Sequence, residues 1–361
     1  MKDFQPKWLR IEKRALDYPA AQDILEKCAD VAVDYIDDWK TQAGRGFSIN
    51  QRFKDEKNGI ILAVKDGALV KSVDRDLYRE NPNEFYIIHS MGCPYDCQYC
   101  FLFDYLDNQI PTIFVNIDDI LRAVETTVNS EDFQTKTALH PGVFHAGEFS
   151  DALAFDHLTN LSAPLVQLFG RLENARLELR TKSDNIENLL DLEHRGKTTV
   201  SWTFSPQATA KNIEFHTASL DERIAAAKRC QEAGYPIGLR FDPIVYFDDW
   251  ENGFEDMILC IFAELDPAGI QDCSLGIYRA TPGLNNIVRR RFPRSKLHLG
   301  EMEQAGDGKY RYIRPVRVRM LKKISALLRS CAPNLKIELC MESPEVEGAL
   351  LPHIERGEVS P

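Results

Sequence analysis

From Glu84 onward, short apolar runs alternate with stretches in which apolar residues recur every three to four positions. FYIIH precedes a helical pattern near 117–129, GVFHAG precedes 152–172, LELRTK precedes 185–195, and TTVSWTF precedes 220–233. PIGLRFDP then leads into 253–265, and DCSLGIY leads into a basic segment. Six strand-to-helix steps with right-handed crossovers predict an α/β fold in which a parallel sheet curls into a partial (β/α)6 barrel of the TIM type. Ahead of it, residues 20–40 read as an amphipathic helix, and GIILAVKDGALVKSV reads as a strand pair turning at Asp66-Gly67. The expected layout is an N-terminal extension over 1–83, a barrel core over 84–280 and a C-terminal addition over 281–361.

In such a barrel the reactive groups belong at the C-terminal ends of the strands. Polar residues crowd those positions: the cysteine-rich loop after the first strand, Gly147 to Asp151 after the second, and Thr181 to Asp184 after the third. Ser205-Pro206, Arg240 to Pro243 and Tyr278-Arg279 follow the remaining three.

Composition narrows the setting. Of 361 residues, 44% are hydrophobic and 27% charged, as in an ordinary folded domain. No apolar run approaches the roughly 20 residues that span a bilayer, and MKDFQPKWLRIEKR lacks the apolar core of a signal peptide, so the expected location is cytoplasmic. There the nine cysteines are expected to stay reduced, and their clustering points to metal or catalytic work.

Net charge is −11, which disfavours indiscriminate binding to a phosphate backbone. Between Arg289 and Lys323, however, twelve lysines and arginines face three acids, leaving this segment at +9 and the rest of the chain at −20. A phosphate-facing surface is one reading of that segment, and a solvated helix face is the other.

The sharpest signal is HSMGCPYDCQYCFLF, residues 89–103, with Cys93, Cys97 and Cys100 in C-x3-C-x2-C spacing. Three thiolates can hold three irons of a [4Fe-4S] cube and leave the fourth open to another ligand. A zinc site completed by a distant residue such as His89 is the competing reading.

With an aromatic residue, Tyr99, just before the last cysteine, this loop resembles the signature of the radical S-adenosylmethionine enzymes. Further stretches resemble the spore photoproduct lyase family: GCPYDCQYCFL, SDALAFDHLT, ELRTKSDN, SWTFSP, SLDERIAAAKRCQEAGYPIG, FDPI with Trp250 nearby, SLGIYR and LCME. The resemblance implies a [4Fe-4S] cluster that binds S-adenosylmethionine and cleaves it reductively to a 5′-deoxyadenosyl radical, with flavodoxin or ferredoxin as electron donor. It further implies that Gly147 and Glu148 hold the methionyl amino group, with Ser150 beside them. Lys182 pairs with the methionyl carboxylate, Ser205 touches the same moiety or the ribose, and Tyr99 packs near the adenine.

In that family the radical takes a hydrogen from a thymine dimer, the bond between the thymines breaks, and a cysteine after the second strand returns a hydrogen. Here Glu148 stands at that position, and a carboxylate O–H is too strong a bond to serve. Tyr95 and Tyr99 remain as flanking tyrosines, Phe101 follows the last cysteine, and Cys340 in LCME is the alternative thiol. Cys230, Cys260, Cys273 and Cys331 read as core. Arg289, Arg290, Arg291, Arg311, Arg314 and Arg317 would face DNA phosphates. Two other readings accompany the lesion enzyme: a relative acting on a small metabolite or peptide, suggested by Glu148, and a noncatalytic iron–sulfur protein.

Overall fold

A computed structural model describes residues 4–44, 46, 48–73, 83–297 and 300–354. The chain forms two compact units, the first from 1–96 with 105–199 and the second from 97–104 with 200–361.

In the first unit, strands β1 (Trp8–Glu12), β2 (Ala32–Ile36), β3 (Gly59–Ala63), β6 (Ser90–Met91) and β7 (Thr112–Phe114) form a five-stranded sheet in the order β2-β1-β3-β7-β6. Its strands are parallel except β6, which runs antiparallel to β7. All five residues of β3 are buried, the mark of a strand covered on both faces. A second set in this unit runs β9 (Ala175–Thr181), β8 (Gly142–Ala146), β5 (Glu84–Ile87), β4 (Val70–Ser72). β5, β8 and β9 are parallel and β4 is antiparallel.

Along β5, β8 and β9, Phe85, Phe144, Leu177 and Leu179 are buried, with Phe85 stacked on Phe144 at 4.8 Å. Tyr86, His145 and Glu178 occupy the alternate positions, as the period of two requires. Helix α1 (Ile117–Val128) buries Ile120, Val124 and Val128, one stripe at helical spacing.

The second unit repeats the parallel pattern with β10 (Thr198–Thr203), β11 (Ile237–Ile244), β12 (Ile270–Ile277) and β16 (Ile337–Leu339), in the order β16-β12-β11-β10. Helix α2 (Leu220–Glu232) opens with a capping box in which the Ser219 hydroxyl accepts from Glu222 N while the Glu222 carboxylate accepts from Ser219 N at 2.7 Å. β13 (Arg279–Ala280), β14 (Met302–Gln304) and β15 (Tyr310–Tyr312) form a small antiparallel sheet before the long helix Arg314–Cys331.

All six expected strands are present, and within each unit they run parallel to one another, so the α/β class holds. Several local expectations are corrected. The helix expected over 20–40 ends at Lys27 and gives way to β2, because Val31, Val33 and Tyr35 alternate with period two. The expected hairpin over 59–73 does not form: β3 pairs with β1 and β7, and β4 pairs with β5 in the other set. The 152–172 helix is broken at Asn160, whose φ of 48° lies in the left-handed region. Residues 185–195 make turns rather than a helix, with Leu189 N bonded to Ile186 O and Leu192 N to Leu189 O. β16 adds a seventh parallel strand, so Cys340 follows a strand end of its own. Cys230 and Cys273 are buried as expected, but Cys260 is exposed and Cys331 half-buried. Among the described residues no helix is long and apolar enough to cross a membrane.

Candidate active site

The loop after β6 carries the three cysteines, with Cys97 buried and Cys93 and Cys100 half-buried. Cys100 N donates to Cys97 O at 3.1 Å, closing a tight turn between the last two cysteines. Gly92, just before Cys93, has φ +77°, and a Cβ there would meet Ile110 O at 3.0 Å. Lys57 is buried and donates from Nζ to Cys93 O (2.8 Å) and Tyr95 O (2.6 Å), pinning the start of the loop with a cation.

Among the described residues no three His, Cys, Asp or Glu side chains gather as ligands of one metal ion. A cube asks for something else, one thiolate per iron, and three cysteines on one short loop supply that donor set.

His89, the alternative zinc ligand, is buried with Ser90 Oγ 3.0 Å from its Nδ1, and burial lowers its pKa to about 4. The unfolded chain therefore takes up a proton near pH 6.5 that the folded chain refuses until about pH 4, so this residue makes stability fall as pH drops through that window. His145 acts with the opposite sign. It lies 2.5 Å from Glu178 and 3.0 Å from Glu84, and although burial and Arg180 lower its pKa, the two carboxylates prevail and raise it. Urea melts at pH 7 and pH 5 should show His89→Asn losing less stability on acidification than the wild type, by about 2 kcal/mol.

At the end of β8, Gly147 has φ +102°, and a Cβ would strike Ala152 N and Arg180 O, each at 2.9 Å. The next residues are therefore turned back across the strand end. Glu148 is half-buried there, and Ser150 Oγ donates to Gly92 O at 2.7 Å, tying this turn to the residue before Cys93. Asp151, unassigned by the sequence reading, organises the neighbouring strand end. Its carboxylate accepts from Lys182 N (2.7 Å), Thr181 Oγ1 (2.7 Å), Leu153 N (3.0 Å) and Ala154 N (2.9 Å). Burial raises its pKa, against the pull of these donors. Lys182, half-buried, thus has its backbone fixed from β8's loop.

In the second unit, Tyr99 is buried, and its hydroxyl donates to Glu214. Burial first, and the Glu214 carboxylate second, push its phenol well above the usual range. Ser205 Oγ donates to the same carboxylate at 2.7 Å, and Ser205 does not cap the helix that follows. Tyr95 is also buried.

At the ends of β12 and β16, Arg279 Nη2 reaches both Asp242 oxygens at 3.1 and 3.0 Å and lies 3.9 Å from Cys340 Sγ. Burial would lower the pKa of Arg279, but Asp242 outweighs it and the guanidinium stays charged. Tyr278 is buried beside Tyr312 at 6.2 Å between ring centroids, and Tyr312 Oη accepts from Tyr246 N.

The basic segment is more neutral than its composition. Arg311 is buried and chelates Asp307 at 2.7 Å, while Arg317 is buried between Glu303 (2.8 Å) and Glu342 (3.3 Å). Neither presents its guanidinium to solvent, which corrects the expectation that they face phosphate. Arg289, Arg290 and Arg314 are exposed, and Arg291 lies over the Phe103 and Phe292 rings, 4.7 Å from each centroid.

The spore photoproduct lyase family model matches residues 4–340. The spore photoproduct lyase of Bacillus subtilis (strain 168) is 28% identical over 352 residues, 93% of this chain and 98% of the relative. That of Clostridium acetobutylicum is 27% identical over 312 residues, 83% and 88% of the two chains. Among solved structures, spore photoproduct lyase complexed with dinucleoside spore photoproduct superposes with a TM-score of 0.82 at 24% identity, over 94% of this chain and 99% of the other. A double mutant with bound AdoMet and dinucleoside spore photoproduct gives 0.81 at 23%, over the same shares. The likeness to the structures is one of fold.

Proposed function

Belonging to the spore photoproduct lyase family, the chain is a radical S-adenosylmethionine enzyme, and we propose that its substrate is a thymine dimer in DNA. The observation that carries this reading is the match over 4–340, which takes in the cysteine loop, the strand ends and Cys340 together. Cys93, Cys97 and Cys100 are the residues to hold a [4Fe-4S] cluster. That cluster, when bound, supplies the electron that converts S-adenosylmethionine to a 5′-deoxyadenosyl radical.

In this reading the chain's own groups orient and exclude. The chemistry lies in 84–280, with 1–83 as an extension and 281–361 facing substrate. Gly147 leaves room at the end of β8, Glu148 and Ser150 take the methionyl amino group, and Lys182 pairs with the carboxylate as a point cation. Ser205 and Tyr99 line the nucleoside side. Arg289, Arg290, Arg291 and Arg314 supply phosphate contacts, and a flavodoxin or ferredoxin supplies electrons. Hydrogen return falls to a thiol other than residue 148, with Cys340 the thiol at a strand end and Tyr95 flanking the cluster loop.

The test uses anaerobically reconstituted protein, dithionite, S-adenosylmethionine and a dinucleoside thymine lesion. Conversion of the lesion to two thymines is expected, with a loss in Cys340→Ala. 5′-Deoxyadenosine formed while the lesion stays intact would overturn the substrate assignment. It would favour the second reading, a relative acting on a small metabolite or peptide, which the carboxylate of Glu148 at the donor position supports. A loaded cluster that never cleaves its cofactor would point to a noncatalytic protein.

A further inference from the structure

The second unit encloses an ion pair that none of the roles above uses. Glu214 and Arg223 are both fully buried, with Arg223 Nη2 2.6 Å from Glu214 Oε2. The other guanidinium donors reach Ala218 O (2.8 Å), Thr203 O (2.8 Å) and Thr217 Oγ1 (2.7 Å), so the arginine is fixed by four partners. The second carboxylate oxygen, Oε1, accepts two hydroxyls, from Tyr99 and from Ser205.

For stability alone this arrangement is wasteful, since desolvating two charges is costly and an apolar pair of similar size packs as well. An apolar pair cannot, however, hold two hydroxyls on one atom. Those hydroxyls belong to Tyr99, just before Cys100, and to Ser205, two residues beyond β10. The same segment grips the loop twice more: Gln98 N donates to Ile213 O and Gln98 Nε2 to Asn212 O, both at 2.9 Å. Three consecutive residues, 212–214, thus hold residues 98 and 99.

We propose that Glu214 is a positioning residue for the cofactor site: held by Arg223, its Oε1 locks Tyr99 and Ser205 into one rigid piece and so sets where the last two cysteines stand relative to the end of β10. The inference rests on reading Cys93, Cys97 and Cys100 as cluster ligands. It also assigns the Tyr99 hydroxyl a task separate from that of its ring.

Glu214→Gln leaves Arg223 buried without its charge partner and is liable to unfold, so the decisive variant is Tyr99→Phe, which removes one oxygen and keeps the ring. Full-length protein, reconstituted without oxygen and left unreduced so that no turnover occurs, is assayed for iron per chain, for S-adenosylmethionine affinity by calorimetry and for thermal midpoint. Tyr99→Phe is expected to keep its iron and bind S-adenosylmethionine about tenfold more weakly, the scale of a lost bond to a charged acceptor. Ser205→Ala should weaken binding too, and the double variant should bind no more weakly than the worse single one, because both report on one anchor. Wild-type affinity in Tyr99→Phe would overturn the proposal, whether or not its thermal midpoint moves, and so would single effects that simply multiply. A wild-type protein that takes up no iron or binds no S-adenosylmethionine fails differently, by removing the reading on which the proposal stands.

Discussion

Cys97→Ala is expected to abolish 5′-deoxyadenosine formation while leaving a folded protein. Cys97 is buried at the centre of the loop, and its side chain is small, so truncation to alanine costs on the order of 1 kcal/mol in packing. The loss of function is out of proportion to that, because a cube deprived of one of three thiolates has two irons without protein ligands instead of one. Iron and sulfide analysis after anaerobic reconstitution should show the variant nearly empty, with circular dichroism unchanged. Cys230→Ala is the matched control. Its thiol is as deeply buried, inside α2, so its removal should cost stability and leave the iron count alone. Should Cys97→Ala retain a full complement of iron and cleave S-adenosylmethionine, the loop is not the cluster site.

Arg223→Met is expected to destabilise the fold by about 3–5 kcal/mol, the largest effect of any single change considered outside the cluster. Methionine matches much of the stem's volume, so the loss comes from the charge. Glu214 is left fully buried with hydroxyl donors but no cation, and the carbonyls of Thr203 and Ala218 each lose a donor. Lysine should rescue poorly, because one ammonium cannot reach four acceptors arranged for a planar fork. Urea denaturation gives the measurement. A loss below about 1 kcal/mol would mean that water reaches the pair, as it does at exposed salt bridges.

Much of the barrel-forming segment was legible because its strands are buried runs and its helices carry clean stripes. Phe85, Phe144 and Leu177 could be placed from their neighbours alone. The misreadings share a cause: a local pattern admits two structures and a distant partner decides. Val31, Val33 and Tyr35 continue a helical run as easily as they start a strand, until β1 is there to pair with them. Ile186 and Leu189 sit at helical spacing, yet both are buried from a string of turns.

The site divides the same way. The cysteines share one loop and announce themselves by spacing, and Lys182 is found from its place at a strand end. Lys57 acts from thirty-six residues before Cys93, and nothing in its own surroundings marks it. Charged residues are the least legible class, since an arginine looks the same in sequence whether it is solvated or, like Arg311 and Arg317, buried against an acid.

Gly147 carries a consequence for how this protein can change. Its left-handed backbone and the two backbone atoms 2.9 Å from its missing side chain forbid every other residue there. Glu148, one step on, bears no such restriction, because the turn is already made before its side chain begins. In a saturation screen for folded protein, position 147 should tolerate nothing while position 148 accepts most residues. A strand end built this way lets a lineage exchange the side chain it displays, carboxylate for thiol or the reverse, in one substitution and without rebuilding the strand beneath it.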